Sequence, residues 1–326
     1  MSVFSRIIGT GSYFPEKIMT NKDFEEFLDT SDEWITTRTG MKERRVAADG
    51  EYNSDFATNA AKNALDMAGI KASELDGIIV GTFTPDTTMP STACRVQHNI
   101  GAGNCFAFDL SAACSGFIYA CNVANGLIRS QSAKKLLVIG SENLTACVDW
   151  RDRGTCILFG DGAGAAVLSA DTEPGIRSIH TYAAGEYGEL LKQDNLGTKY
   201  LRDLQGEPIE DNMIHMKGND IFKIAVRAMA DAAQEAADAA GFSSEDIDWV
   251  IPHQANLRII DAVAKRLKVP AEQVVINIQQ YANTSAATIP TALDSYVREG
   301  KIKRGDNIVS AAFGGGLTWG SMALTF

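Results

Sequence analysis

Two stretches of this chain align without a gap, Ala68-Gly-Ile-Lys-Ala-Ser-Glu-Leu-Asp-Gly-Ile-Ile-Val80 and Ala240-Gly-Phe-Ser-Ser-Glu-Asp-Ile-Asp-Trp-Val-Ile-Pro252. A repeat of that kind restricts the fold more than any other feature of the sequence. Each copy follows an alanine-rich segment with helical spacing, near Ser54 to Ala68 and near Asn219 to Ala240. Each then passes through a glycine, Gly69 or Gly241, into a Val/Ile run. The same offset of about 172 residues lays Leu136-Leu-Val-Ile-Gly140 on Ile308-Val-Ser-Ala-Ala312, a second pair of buried strands. Strands that are apolar throughout and alternate with helices belong to α/β layers whose sheets are covered on both faces. The expectation is a duplicated α/β chain, with an N-terminal half over residues 1–175 and a C-terminal half over 176–326.

The 326 residues give room for a sizeable core, and the net charge of −11 argues against general nucleic-acid binding while leaving room for a local basic patch. No apolar stretch is long enough to span a bilayer. The start, Met1-Ser-Val-Phe-Ser-Arg-Ile-Ile-Gly-Thr-Gly11, lacks the apolar core of a signal peptide and reads as a first strand. Six cysteines without a CxxC pair fit free thiols in a reducing cytoplasm, rather than a disulfide framework or a metal site.

If the halves pack about a pseudo-twofold axis, loops at corresponding strand ends meet in the middle, and three carry chemistry. Cys114 sits in Asp109-Leu-Ser-Ala-Ala-Cys-Ser-Gly116, where the apolar run Cys105–Leu110, read as a short buried strand, hands over to a helical pattern from Gly116 to Arg129. A helix N-terminus favours thiolate, and small neighbours leave room for a substrate. His253 closes the repeated strand in Trp249-Val-Ile-Pro-His-Gln-Ala-Asn256. Asn283 follows the strand-like Val274-Val-Ile-Asn-Ile278 and opens a small-residue segment. Read singly, each also fits a structural part: a buried inert thiol, a hydrogen-bonded histidine, a helix N-cap. Gly160-Asp-Gly-Ala-Gly-Ala-Ala166 has the wrong spacing for a dinucleotide loop and leads into a strand. Phe313-Gly-Gly-Gly-Leu-Thr-Trp-Gly320 offers bare backbone, either as a tight turn or as an oxyanion cradle.

The elements Thr30-Ser-Asp-Glu-Trp-Ile-Thr-Thr-Arg-Thr-Gly40, Ser111-Ala-Ala-Cys-Ser-Gly-Phe117, Asp152-Arg-Gly-Thr155, Phe159-Gly-Asp-Gly-Ala-Gly164, Pro252-His-Gln-Ala-Asn-Leu-Arg258, Asn283-Thr-Ser285 and Gly314-Gly-Gly-Leu-Thr-Trp-Gly320, in that order along the whole chain, resemble β-ketoacyl-[acyl carrier protein] synthase III. The resemblance implies the thiolase-like fold, with duplicated halves in five α-β-α-β-α layers, and a homodimer. It implies decarboxylative condensation of a short acyl-CoA with malonyl-[acyl carrier protein], without metal or redox cofactor. Cys114 would be acylated, with its backbone N–H and that of Gly315 as oxyanion hole, and His253 and Asn283 would serve the condensation. By the same likeness Trp34 and Arg153 would sandwich the CoA adenine. Thr30, Arg38, Gly218, Phe222 and Asn256 would line the rest of the CoA path. Lys223, Arg258, Lys265 and Arg266 would form the basic patch for the acidic carrier.

One departure concerns the acyl pocket: the chain reads Thr87-Thr-Met-Pro-Ser91 where many acetyl-preferring relatives carry phenylalanine, so Met89 is expected there, contributed across the dimer interface. A flexible methionine yields to a longer primer. Trp150 and Arg151 add an aromatic and a cation near the CoA entrance, and residues 190–215 read as a mobile flap. A degradative thiolase would need a second cysteine late in the chain, whereas the last cysteine is Cys156. A non-catalytic carrier-binding relative would lack the nucleophile. A condensing enzyme of secondary metabolism would keep the same Cys-His-Asn set and differ in its pocket.

Overall fold

The two alanine-rich segments form the helices Asn53–Ala68 and Gly218–Ala240 in a computed structural model that describes residues 3–193 and 213–326. Each helix ends on a glycine in the left-handed region, Gly69 (φ +65°) and Gly241 (φ +75°), which a side chain would strain. From there the chain turns into the strands Gly77–Gly81 and Trp249–Pro252.

The first sheet runs Phe4–Tyr13, Gly162–Asp171, Lys135–Glu142, Gly77–Gly81, Phe106–Leu110 in spatial order. Its last three strands are parallel, with Gly77 opposite both Leu136 and Phe106. The second sheet runs Trp249–Pro252, Asn307–Gly314, Thr318–Thr325, Ile176–Ala183, beginning with a parallel pair in which Trp249 faces Ile308. Helices Asn53–Ala68 and Thr92–Asn99 pack on the first sheet, and Gly218–Ala240 and Leu257–Leu267 form the cover of the second. Between the sheets lie Gly116–Arg129 and Thr288–Arg298, each touching both. The result is five layers, α-β-α-β-α, with the two central helices bringing Cys114 and Asn283 inward from opposite halves of the sequence.

Two readings of the sequence need correction. The run to Leu110 is a strand but not a buried one: it is the sheet edge, and Phe106 and Phe108 are exposed with their rings stacked. Val274–Ile278 is not a strand. It makes one isolated bridge to Val250 and then winds into the short helix Ile278–Tyr281. Most of the expected flap over 190–215 lies outside the described residues. Its flanks, Leu191–Gln193 and Ile214–Met216, pair as a two-stranded ribbon.

Candidate active site

Cys114 occupies a 3-10 turn, Ala113–Ser115, that runs straight into the helix Gly116–Arg129. The preceding Ala113 has φ +45°, and Ala282 and Ser285, flanking Asn283, have φ +53° and +52°. Left-handed residues other than glycine are rare, and three around two candidate groups mark a site where backbone strain is stored. Gly314 explains the Gly-rich turn: a Cβ there would lie 2.5 Å from the Cys114 backbone nitrogen. Neither the Cys114 nor the Gly315 N–H is used by a turn or strand hydrogen bond among the described residues.

His253 and Asn283 are both buried yet open onto the same cavity as Cys114. The His253 Nδ1 lies 2.6 Å from the Thr288 hydroxyl, which leaves Nε2 for the cavity. The Asn283 Oδ1 accepts the Ser285 backbone N–H at 2.8 Å, so its NH2 is the free, donating end. Asn283 is fixed further by backbone bonds to Leu158 and from Gly160, in the segment whose glycines resembled a nucleotide loop. Burial holds the His253 imidazole down to about 3, so the ring is neutral. Burial likewise pushes the Cys114 thiol up to about 12, against the Ser285 hydroxyl, which favours the thiolate. The expected resting thiolate is therefore not what this environment supports.

The cavity holds about 820 Å³ and reaches from Cys114 to a mouth formed by Trp34, Arg38, Arg153, Phe222 and Arg258. Gly218, Lys223 and Asn256 also line it. Thr30 does not: its hydroxyl is buried without a partner among the described residues. The Arg38 and Arg153 guanidinium carbons sit 4.2 and 5.0 Å from the Trp34 ring centre. No base fits between Trp34 and Arg153 at that spacing, so the expected sandwich is closed, with Arg153 paired to Asp29 at 3.7 Å. Arg258 lies 4.8 Å from the Phe222 ring, and Lys265 is exposed away from the cavity. Arg266 is drawn to Asp231 at 3.3 Å, which tempers its part in a basic patch. Trp150 packs on Phe24 and Arg151 pairs with Asp149, both outside the cavity.

A second cavity of about 380 Å³ opens on the other side of the thiol, lined by Phe83, Phe159, Leu191, Ile214, Ser285 and Gly315. Met89 is not among its walls; it is 86% exposed on the surface of its own chain. Sequence reasoning missed Ser285, Thr288 and Glu142. The last could have been noticed as a carboxylate two residues after the apolar run Leu136–Gly140, in Gly140-Ser-Glu-Asn143.

Comparison with known proteins agrees with this geometry. Residues 108–185 match the family model described as 3-oxoacyl-[acyl-carrier-protein (ACP)] synthase III, and residues 237–326 match its C-terminal model. The chain belongs to that family. It is 51% identical to the β-ketoacyl-[acyl-carrier-protein] synthase III of Xanthomonas campestris pv. campestris, over 99% of both chains. The crystal structure of 3-oxoacyl-[acyl-carrier-protein] synthase III from Aquifex aeolicus, 50% identical, superposes with a TM-score of 0.92 over 99% of this chain and 100% of that one. The priming β-ketosynthase of the R1128 polyketide pathway, 36% identical, gives 0.94 over 100% and 97%. The thiolase-like fold and the condensing acyltransferase class expected from the motifs are those of the family. Among the described residues, no helix is long and apolar enough to cross a membrane.

Proposed function

We propose that the enzyme condenses a short acyl-CoA with malonyl-[acyl carrier protein], releasing CoA and carbon dioxide and starting a fatty-acid chain. The observation that carries this is the meeting of Cys114, His253 and Asn283, from opposite halves of the chain, at the inner end of one deep cavity. The division near residue 175 and a cytoplasmic setting belong to the same proposal.

In the first half-reaction the Cys114 sulfur attacks the acyl-CoA carbonyl. The N–H groups of Cys114 and Gly315 hold the oxyanion, and the acyl chain enters the smaller cavity. Trp34 and Arg153 open to admit the adenine, since an indole and a guanidinium both stack on a base. Arg38, Gly218, Phe222 and Asn256 line the path inward. In the second half-reaction malonyl thioester loses carbon dioxide beside His253 and Asn283. The Thr288 hydroxyl faces both the Ser285 carbonyl at 2.9 Å and the His253 Nδ1 at 2.6 Å; with its proton turned to Nδ1, the His253 Nε2–H and the Asn283 NH2 both donate to the enolate oxygen. The neutral imidazole fits that donor role. No cofactor enters these steps.

Lys223 and Arg258 at the mouth, with Lys265 beyond, are the cations for the acidic carrier, and Arg266 adds to them less because Asp231 pairs with it. A homodimer would bring Met89 of one protomer to the acyl pocket of its partner. A second reading, priming of a secondary-metabolite chain, is favoured by the likeness to the R1128 priming ketosynthase. Intact mass after incubation with acetyl-CoA and with longer or branched acyl-CoAs tests both. Acylation of wild type and not of Cys114→Ala is expected, and the strongest label names the primer. Absence of any adduct would overturn the acyl-CoA donor.

A further inference from the structure

Glu142 ends the strand Lys135–Glu142 fully buried, with only neutral partners among the described residues. A buried carboxylate is costly without a cation, and its bonds show how the cost is met. Its Oε2 accepts from the Thr82 hydroxyl at 3.0 Å, the Thr84 hydroxyl, and the backbone N–H groups of Phe83 and Thr84 at 3.2 and 3.1 Å. Its Oε1 has only two long contacts, the Phe83 N–H at 3.4 Å and the Ser285 hydroxyl at 3.3 Å. Oε1 is thus the oxygen with room for a proton, and it faces the Ser285 hydroxyl, which lines the smaller cavity beside Cys114. His253, the usual choice of base, spends Nδ1 on Thr288 and is a weak base where it sits.

We propose that Glu142, acting through the Ser285 hydroxyl, takes the Cys114 proton when the thiol is acylated and returns it when condensation frees the sulfur. The proposal deepens the acyl transfer argued above and rests on it. As the sulfur bonds to the acyl carbon, its S–H bond breaks and that proton passes to Ser285 Oγ. The Ser285 proton passes to Glu142 Oε1, and CoA leaves as a thiolate that takes a proton from solvent water. When the enolate carbon later attacks the acyl-enzyme, the C–S bond breaks and its electron pair returns to sulfur. The relay then runs backward, giving the thiol and the carboxylate again. Burial places the Glu142 carboxyl at about 8, close enough to neutral pH to move a proton both ways. The titratable groups around it are Cys114, Cys147, which feels both Glu142 and Asp161, and His253 beyond Thr288.

The test uses the full chain with Glu142→Gln, whose amide nitrogen can take the Oε1 place facing Ser285, Ser285→Ala, and Glu142→Asp. Alkylation of Cys114 by iodoacetamide is followed against pH by peptide mass, which separates it from the exposed Cys94. Acylation by acetyl-CoA is followed in parallel. In wild type both rates should rise as pH passes about 8 and then level. In Glu142→Gln and Ser285→Ala the rates at neutral pH should fall about 10-fold or more and the rise should move to higher pH, with Glu142→Asp partly restoring it. A wild-type alkylation profile in either variant overturns the relay. Should Glu142→Gln fail to fold by circular dichroism, Ser285→Ala decides alone, since it leaves the carboxyl and its other partners in place. Because iodoacetamide involves no CoA, a failure of the acyl-CoA reading would leave the alkylation result readable.

Discussion

At Cys114, position and burial pull the thiol in opposite directions. A helix N-terminus stabilises an adjacent anion by about 0.3–2 kcal/mol. Burial, partly offset by Ser285, raises the thiol from 9.0 to about 12, and each unit is worth about 1.4 kcal/mol. Burial wins, which the sequence around Asp109–Gly116 could not reveal, because small neighbours signal access and not the desolvation imposed by residues from the other half. Cys114, His253 and Asn283 themselves were legible because each closes a strand or opens a small-residue segment. Their partners Ser285 and Thr288 were not, since hydroxyls in a small-residue run look like any loop. Splitting the two half-reactions should separate the roles. His253→Ala and Asn283→Ala should each lower condensation with malonyl-carrier by about 100- to 1000-fold while acyl-enzyme still forms at near the wild-type rate. Single-turnover mass measurements of each step check this, and equal loss in both steps would remove His253 and Asn283 from the enolate's donors.

Among the elements, the helices and the inner strands followed from pattern because their stop signals are local: glycine after the helix, Val/Ile runs after the glycine. Phe106–Leu110 and Val274–Ile278 did not, for one physical reason. Apolarity measures what a segment would gain by burial, whereas its place at the sheet edge or beyond a single bridge is set by the rest of the chain. The Gly-rich turn is the opposite case, in which an element exists to leave space. Gly314 ends the strand Asn307–Gly314 with its Cα against the backbone of the nucleophile, so any Cβ must displace that backbone. Gly314→Ala should cut acylation of Cys114 by about 100-fold, the order expected of a misplacement near 1 Å. Its stability cost should be about 1–3 kcal/mol, the usual range for overpacking. Acyl-enzyme mass and urea unfolding measure the two effects. Wild-type acylation in this variant would show that the turn's tight approach to Cys114 is not required.

The molecule as a whole builds its site from both halves, with the nucleophile in the turn before one central helix, and one donor just past a strand end and the other in the loop leading to the second central helix. That plan leaves one edge unfinished. Phe106 and Phe108 stack side by side at the open end of the first sheet, and Met89 is almost wholly exposed, although the acyl pocket was expected to use it. Unpaired edges with apolar side chains invite pairing with another chain. The rings are 38% and 37% exposed, so covering what remains would contribute about 0.5–1 kcal/mol each. A homodimer through this edge accounts for both observations. Sedimentation velocity should therefore find wild type dimeric and the double variant Phe106→Glu, Phe108→Glu monomeric, each folded by circular dichroism. If Met89 then closes the acyl pocket from the partner, the monomer should lose its discrimination between short and branched acyl-CoAs along with most of its acylation rate. A monomeric wild type, or a dimer untouched by the two charges, would place the interface elsewhere and return the acyl pocket to Phe83, Phe159, Leu191 and Ile214 of a single chain.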